Sequence, residues 1–423
     1  MDQQNLKKKY MQLWKDTFHD SDKYIDLIFN NYFDPNLAVY EEINGDMAAG
    51  ILGIPYEFGN ADNKLKALYL CGVATKPQFR SRGIMTRLLA RINEKALEAG
   101  FVFTFLIPAD EGLRKYYHDR DFVNAFYRVV DNYTSLHDFN REYESILAEQ
   151  KEKVAVLKRR YFASLTSGKI VSDADANDTI FEGVKTLILD IESAQGDLQI
   201  IHSPHDIDLL IQENAISGGS IFYVANSSGK ITGAAFTEIS DGAVNVLKLY
   251  TADMASKFKV FDTVKKEFPE MAIRHFVSSI EMDRKALWSR TYGSIMDDAP
   301  QVSTISVTER VYSLAAHAKV YGMAHILNLS EILKFQANLR RDLKYSILMK
   351  SADIYTFEQI EVRDGRLKIK EFSSDALSPS QTAHVMSKRD ICEILFRRRD
   401  TDNMITEAFG IPSINGAISL LLD

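Results

Sequence analysis

The sequence predicts a mixed α/β protein of the α+β class with more than one domain. Its 423 residues exceed what one ordinary hydrophobic core holds. Apolar runs with the period of a strand alternate with amphipathic runs of helical period, most clearly in the stretch Leu68–Leu89. A later stretch, Leu198–Phe276, has roughly the same order of predicted elements. We therefore expect two related domains followed by a third, at residues 1–136, 137–298 and 299–423.

The composition is typical of a soluble globular protein. Hydrophobic residues make up 46% of the chain and charged residues 26%. A net charge of −7 argues against general nucleic-acid binding, and we expect no nucleic-acid partner. The two cysteines, Cys71 and Cys392, lie far apart, which favours a reducing compartment and offers no disulfide framework or metal-ligand spacing. Without a signal-peptide core or a bilayer-length apolar run, the sequence predicts a cytoplasmic protein that has no membrane span and binds no metal.

The first predicted domain opens with two helices between Leu6 and Phe33. A hairpin should follow, because the pair Asn44-Gly45 is typical of tight hairpin turns. Gly100 stands where a left-handed helix C-cap is common, so it should end a helix. After the strand of the stretch Leu68–Leu89, the predicted elements are the helix Ile84–Ala99, the strand Phe101–Ile107, the helix Asp110–Tyr117 and the strand Phe122–Val130.

The second and third domains are predicted in less detail. A charged linker helix, Phe139–Leu165, should lead into the second domain. Its elements are the helices Asp206–Asn214 and Ser256–Phe268 and the strands Ser220–Ala225, Ile231–Glu238 and Val244–Tyr250. The third domain should contain the strands Ala324–Asn328, Tyr345–Lys350, Tyr355–Val362 and Arg366–Phe372 and the helices Ser330–Leu339 and Lys388–Phe396.

A basic turn, Arg80-Ser81-Arg82-Gly83, joins the strand of the stretch Leu68–Leu89 to its helix. A helix N-terminus presents unpaired backbone N–H groups and the positive end of the helix dipole, which together favour a bound phosphate. Gly83 allows close backbone approach, and Arg80 and Arg82 add positive charge. The turn is therefore predicted to bind phosphate, and the alternative is a solvated surface turn. The corresponding place in the second domain, after Tyr250, has no Arg-x-x-Gly, so one such site per chain is expected.

These residues resemble the signature of the GNAT acetyltransferase superfamily. That family has a turn Arg/Gln-x-x-Gly-x-Gly/Ala, for which this chain has Arg80–Met85. A later family pattern, Tyr-x-x-x-Gly-Phe, is matched by Tyr117–Phe122 with Asp121 in place of the glycine. Over its whole length the chain is similar to the Eis-type (enhanced intracellular survival) acetyltransferases. The resemblance implies a GNAT domain at 1–136, a degenerate second GNAT-like domain at 137–298 and a C-terminal domain at 299–423 like that of sterol carrier proteins.

The resemblance also implies an acetyl-CoA-dependent N-acetyltransferase that passes the acetyl group directly to an amine. Tyr117 corresponds to the family's acid, and the terminal carboxylate of Asp423 corresponds to the Eis-type base. The alternatives are a core tyrosine and an ordinary frayed chain end. The residues implied to contact acetyl-CoA are Val73, Ala74 and Thr75 on the strand, Arg80, Ser81, Arg82, Gly83, Ile84, Met85 and Thr86 at the turn and helix start, and Ala109 and Asp110 after the next strand.

The acceptor and the assembly stay open at this point. The acidic chain is compatible with a cationic acceptor such as a polyamine, an aminoglycoside or a lysine side chain. The Eis-type resemblance implies a homo-oligomer, a hexamer. Two alternatives of another class remain: a non-catalytic protein that senses acyl-CoA, and a protein that binds an apolar ligand in its C-terminal domain.

Overall fold

A computed structural model of the chain describes residues 3–133, 166–171, 178–194, 198–278, 318–351, 356–373, 385–397, 411–414, 416–418 and 420. The described residues form two compact units. Unit one takes its residues from Met1–Arg128, Gly196–Ile201 and Ser278–Ile418, and unit two takes its residues from Val129–Gln195, His202–Val277 and Ser419–Asp423. The predicted linker helix Phe139–Leu165 lies outside the described residues, and the three domain boundaries stay a prediction.

Several helices begin where the sequence offers a capping side chain. Ser21 accepts a hydrogen bond from the backbone N–H of Tyr24, and Ser203 and Ser387 each form a capping box with an aspartate three residues later. No helix of the described residues is long and apolar enough to span a membrane. The helices are α1 (Gln3–Phe18), α2 (Asp22–Tyr32), α3 (Ile84–Glu98), α4 (Glu111–His118), α5 (Asp178–Ala194), α6 (Pro204–Ile216), α7 (Met254–Glu267), α8 (Leu329–Leu339) and α9 (Lys388–Leu395).

The predicted strands are present within about five residues of their expected ends. The turn Asn44-Gly45 between the first two strands has the positive φ values that such hairpins need. The strands are β1 (Ala38–Ile43), β2 (Asp46–Gly59), β3 (Lys64–Thr75), β4 (Phe103–Leu106), β5 (Val123–Tyr133), β6 (Thr166–Val171), β7 (Leu198–Ile201), β8 (Ser220–Ala225), β9 (Ile231–Ser240), β10 (Ala243–Thr251), β11 (Ala272–Ser278), β12 (Lys319–Ile326), β13 (Lys344–Lys350), β14 (Thr356–Arg363), β15 (Arg366–Ser373), β16 (Val385–Met386) and β17 (Gly416–Ala417). Five of these strands, β6, β7, β11, β16 and β17, were not predicted.

The main sheet of unit one has the strand order β17-β7-β2-β3-β4-β12-β5, and β1 pairs with β2 outside this path. β2 and β3 are antiparallel, whereas β3 and β4 are parallel and joined by the crossover helix α3. β12, which the sequence places in the predicted third domain, lies antiparallel between β4 and β5. The sheet is therefore built from residues far apart in the sequence.

The core of unit one lies on both faces of this sheet. On one face, α3 buries Ile84, Leu88 and Ile92, which recur at the helical period against the apolar residues of β2 and β3. On the other face, the ring of Phe58 lies 5.0 Å from that of Phe103 and 5.2 Å from that of Phe105. Each such side chain contributes about 1.5–3 kcal/mol by leaving water. The core thus fixes β3 and α3, the two elements that flank the basic turn.

The C-terminal part of unit one adds a second sheet of order β15-β14-β13-β16. Helix α8 packs on one face of this sheet, where the Tyr345 hydroxyl donates to Oε1 of Gln336 at 2.5 Å. The predicted strands and helices of this region are present within one to five residues of their expected ends. Its relation to sterol carrier proteins stays a prediction.

Unit two repeats the element order of the start of unit one. β8, β9 and β10 form an antiparallel meander, α7 crosses over, and β11 lies parallel to β10. Helices α5 and α6 precede this meander as α1 and α2 precede β1. The sequence analysis found the meander and α6 but not α5 or β11. The repeated order supports two copies of one α/β arrangement in the chain.

Candidate active site

The end of strand β3 separates from its neighbour β4. The parallel ladder between them covers Ala67–Tyr69 of β3 and stops where Tyr69 faces Phe105. Gly72 follows with a φ of +58°, beside a register irregularity opposite Gly50–Leu52. A side chain at Gly72 would meet the Trp14 ring at 2.6 Å. The residues predicted to run beside the pantetheine arm, Val73, Ala74 and Thr75, lie in this separated end of β3.

The basic turn keeps its two arginine side chains at the surface. The Nε of Arg80 donates to the carbonyl oxygen of Thr75 at 3.1 Å, and Nη2 of Arg82 donates to that of Gln78 at 3.0 Å. Among the described residues neither guanidinium has a carboxylate partner, whereas Arg87, further along α3, is neutralised by Glu41 at 2.7 Å. Positive charge therefore remains uncompensated at the turn, as an anion-binding site requires.

The backbone of the turn is compact and leads directly into α3. Ser81 has a φ of +61° and Gly83 a φ of +71°, in the left-handed region. Gly83 is the N-cap of α3 and supplies no side-chain hydrogen bond to the first turn. Ile84 is buried and anchors the helix start, while Met85 is half-buried and Thr86 is exposed. The N–H groups at the start of α3 can therefore meet a phosphate, as the sequence predicts.

Arg120 is a residue of this region that the sequence analysis missed. Its Nε and Nη2 atoms contact Oγ1 of Thr86 at 3.0 and 2.9 Å, and its guanidinium lies 3.5 Å from the centroid of the Tyr116 ring. The Tyr116 hydroxyl in turn lies 3.3 Å from Thr86 Oγ1. Arg120 thus adds a third cation at the start of α3 and joins α3 to α4. Nothing in the local pattern of the sequence indicates which helix it reaches.

Tyr117 lies on α4 beside this contact. Its side chain is 5% exposed and packs with Phe122, whose ring centroid is 5.7 Å away. Burial raises the pKa of Tyr117 well above its ordinary value, and Tyr116 acts in the same direction. The phenol is protonated in the neutral range, as any tyrosine is, and its burial makes it a weaker acid than an exposed tyrosine. Asp121, which replaces the family's glycine, has a φ of +62°, so it takes the conformation that a glycine would adopt without strain.

Ala109 and Asp110 lie between β4 and α4, where the sequence places a further contact. The Asp110 carboxylate is the N-cap of α4 and accepts a hydrogen bond from the backbone N–H of Leu113 at 2.7 Å. This is a structural role that the sequence analysis did not assign. Both residues are exposed and line a cleft of about 1050 Å³.

The cleft lies within unit one and is bordered by α4, α9 and the starts of β5 and β12. Three residues of one α4 face, Glu111, Arg114 and His118, form one wall, and Glu393 of α9 faces them. The wall carries mixed charge, since Arg114 pairs with Glu111 and His118 lies 3.3 Å from Glu393. Tyr116, about half a helical turn away, lies on the side of α4 that contacts Thr86. Helix α4 therefore stands between the cleft and the start of α3.

The corresponding helix start in unit two is closed. The ladder of β10 with β11 also stops early, at the pair Val246 and His275. Beyond it the N-cap of α7 is Asp253, whose carboxylate accepts the backbone N–H of Ser256 at 2.8 Å. A carboxylate at this position satisfies the orphan donor and repels an incoming anion. This supports the prediction of one phosphate site per chain.

Three further predictions concern isolated residues. Asp423 lies outside the described residues, although Ile418 and Leu420 shortly before it are buried. Cys71 is a packed residue, because it is 2% exposed and its burial raises the thiol pKa. Among the described residues, no group of three or more His, Cys, Asp or Glu side chains lies close enough to hold a metal ion.

The comparison with protein families gives a match at the start of the chain. Residues 3–123 match the family described as the acetyltransferase (GNAT) domain. This range includes β3, the basic turn, α3, β4 and α4, which are the elements that build the candidate site. No curated protein sequence matches the chain.

Solved structures share the fold over most of the chain at low sequence identity. A probable N-acyltransferase from Enterococcus faecalis V583 is 10% identical, with a TM-score of 0.63 over 96% of this chain and 91% of its own. A GCN5-related N-acetyltransferase from Anabaena variabilis is 11% identical, with a TM-score of 0.60 over 94% and 88%. Eis1 from Mycobacterium abscessus is 9% identical, with a TM-score of 0.58 over 97% and 91%. Residues 3–123 therefore match a GNAT acetyltransferase domain, and the chain shares its mixed α/β fold with these solved structures.

Proposed function

We propose that the protein is an acetyl-CoA-dependent N-acetyltransferase that transfers the acetyl group directly to an amine. The observation that carries this proposal is the start of α3, where no side chain caps the helix and the Arg80 and Arg82 guanidiniums have no carboxylate partner among the described residues. The GNAT family match over residues 3–123 supports the acyl-transfer chemistry.

Acetyl-CoA would be held along β3 and the start of α3. The N–H and C=O groups of Val73–Thr75, which extend past the ladder with β4, would pair with the amide groups of its pantetheine arm. Ser81–Thr86 would hold the pyrophosphate through backbone N–H groups, with Arg80 and Arg82 as charged donors. Arg120 would support this pyrophosphate site because it contacts Thr86. Ala109 and Asp110 would contribute weaker contacts beside the cleft.

Tyr117 and the terminal carboxylate of Asp423 are the proposed proton-transfer groups. In direct transfer the amine nitrogen forms a bond to the thioester carbonyl carbon, the carbon–sulfur bond breaks, and the thiolate must gain a proton. Tyr117 would donate that proton from its hydroxyl, which is protonated at neutral pH. Asp423 would accept the proton that the amine loses. The contact of Tyr116 with Thr86 supports this placement of Tyr117, since it brings α4 to the start of α3.

The cleft beside α4 is the proposed site of the amine acceptor. Its volume of about 1050 Å³ fits a small molecule or a side chain. The carboxylates of Glu111 and Glu393 on its walls are already paired with Arg114 and His118, so the charge of the cleft does not select the acceptor. A polyamine, an aminoglycoside and a lysine side chain are the classes to test. We also propose a cytoplasmic protein, a homo-oligomer, and a C-terminal domain related to sterol carrier proteins at residues 299–423.

The function is tested by an amine screen with acetyl-CoA that measures free thiol. The wild-type protein should release thiol with at least one amine class, and the double variant Arg82→Ala, Gly83→Asp should not, because it removes a cation and places a carboxylate at a positive-φ N-cap. Full activity in the double variant would overturn the assignment of the turn. Coenzyme binding without thiol release across the whole panel would instead favour a sensor of acyl-CoA.

A further inference from the structure

The second sheet of unit one has two chemically different faces. Tyr345, Ile347, Ile360 and Val362 are buried on the face that packs against α8. Successive residues of a strand point to opposite faces, and the ladders β13–β14 and β14–β15 contain no register shift. The residues between these buried positions therefore lie on the opposite, outer face.

The outer face carries a dense set of cations. Directly paired residues share a face, and one such row across the three strands is Lys344, Arg363 and Arg366. We call six exposed residues of this face the basic face; they are Lys344, Lys350, Arg363, Arg366, Lys368 and Lys370.

The basic face is poorly neutralised by the carboxylates around it. Glu361 shares the outer face, and Asp364 in the adjoining turn lies 3.6 Å from Lys344 and 3.4 Å from Arg363. Among the described residues no ion pair involves the other four cations. The neighbouring acids Glu358 and Glu371 pair with each other in register on the α8 side of the sheet. Charge is therefore segregated by face.

Protection of the sheet edge does not account for this arrangement. Lysines on an edge strand discourage pairing with other chains, and Lys368 and Lys370 on β15 could serve that purpose. The same need does not apply to Arg363, which lies on the inner strand β14 between β13 and β15. A chain with a net charge of −7 has nevertheless collected cations across three strands of one surface.

We infer that the basic face docks on an anionic membrane surface. The cations spread across three strands and along the length of β13, so they match a plane of negative headgroups better than a single linear polyanion. Clusters of about four to eight Lys or Arg residues are typical of surfaces that bind anionic lipid. Leu348, Phe357 and Phe372 lie half-buried on the same face and would contact the headgroup boundary.

Vesicle sedimentation tests this inference independently of catalysis. The full-length protein should bind vesicles of equal parts phosphatidylcholine and phosphatidylglycerol, bind pure phosphatidylcholine vesicles far less, and be released as salt is raised. The double variant Lys368→Gln, Lys370→Gln loses two of the six cations and should bind about thirty-fold more weakly. The matched control is Lys8→Gln, Lys23→Gln, which removes two exposed lysines of α1 and α2 and should bind like wild type.

Thermal melts and, if the amine screen succeeds, thiol release should be equal in all three proteins, since these lysines lie outside the proposed site. Equal binding to both vesicle types, or unchanged binding in the Lys368/Lys370 variant, would overturn the inference. Two further results would also overturn it: preference for a single-stranded RNA oligonucleotide over vesicles, and a changed oligomeric state in the variant, which would make the face an interface between copies of the chain.

Discussion

Replacing Arg82 with alanine should weaken coenzyme binding without unfolding the protein. Arg82 is exposed, its guanidinium donates to the Gln78 carbonyl at 3.0 Å, and it lies 5.4 Å from the Phe79 ring centroid. Loss of these exposed contacts should change the free energy of unfolding by no more than about 0.5 kcal/mol. Loss of a charged hydrogen bond to a phosphate costs about 1.5–3 kcal/mol of binding free energy, or roughly 10- to 150-fold in Kd.

The assay is isothermal titration of coenzyme A into each variant, with a urea titration to measure stability. Arg91→Ala is the matched control, because Arg91 is an exposed arginine of α3, two turns from the start of that helix, and donates to the Tyr40 carbonyl at 3.2 Å. It should bind coenzyme A like wild type. If Arg82→Ala and Arg91→Ala bound equally well, the basic turn would not be the pyrophosphate site.

Three other changes address the proton-transfer groups and the buried charge of unit two. Tyr117→Phe should lower kcat by about 100-fold or more and leave coenzyme affinity unchanged, whereas Tyr116→Phe should lower kcat by only a few-fold; steady-state kinetics would contradict the acid assignment if both variants behaved alike. Deletion of the last residues through Asp423 should remove activity but not coenzyme binding, and an active truncated protein would exclude the terminal carboxylate as base. Burial lowers the pKa of His202, but the Glu192 carboxylate at 2.8 Å more than offsets this, so the net pKa is raised above 6.5. The protonated His202 therefore stabilises the folded protein fully below about pH 6.5, and this stabilisation is lost as pH rises through the folded-state pKa. Glu192→Gln should lower the free energy of unfolding by about 3 kcal/mol at low pH and should weaken the dependence of that free energy on pH, measured by urea titrations at several pH values. An unchanged pH dependence would exclude the pair of His202 and Glu192 as its source.

Much of the local structure could be predicted because its causes are local. The Asn44-Gly45 turn and the strand Ser220–Ala225 follow from turn chemistry and apolar period within a few residues. The basic turn could be predicted for the same reason, since its charges, glycine and helix start are contiguous in the sequence.

The remaining features depend on contacts between distant residues. The position of β12 between β4 and β5 is set by backbone pairing that no short-range pattern records. The same holds for Arg120, because the target of a long guanidinium side chain depends on which helix packs beside it. Asp110 illustrates a different limit: its position beside the site was predicted, but its carboxylate caps α4.

The carboxylate of Asp253 has a consequence for stoichiometry. In unit two, the Asp253 carboxylate occupies the helix start at which a phosphate would otherwise bind. Each chain should therefore titrate with one equivalent of coenzyme A, however many chains assemble. Removal of Asp253 alone would expose N–H donors without the two arginines that unit one provides, so a functional second site would need a transplanted turn as well. We therefore expect the repeated arrangement to serve unit two as a scaffold rather than as a second binding site.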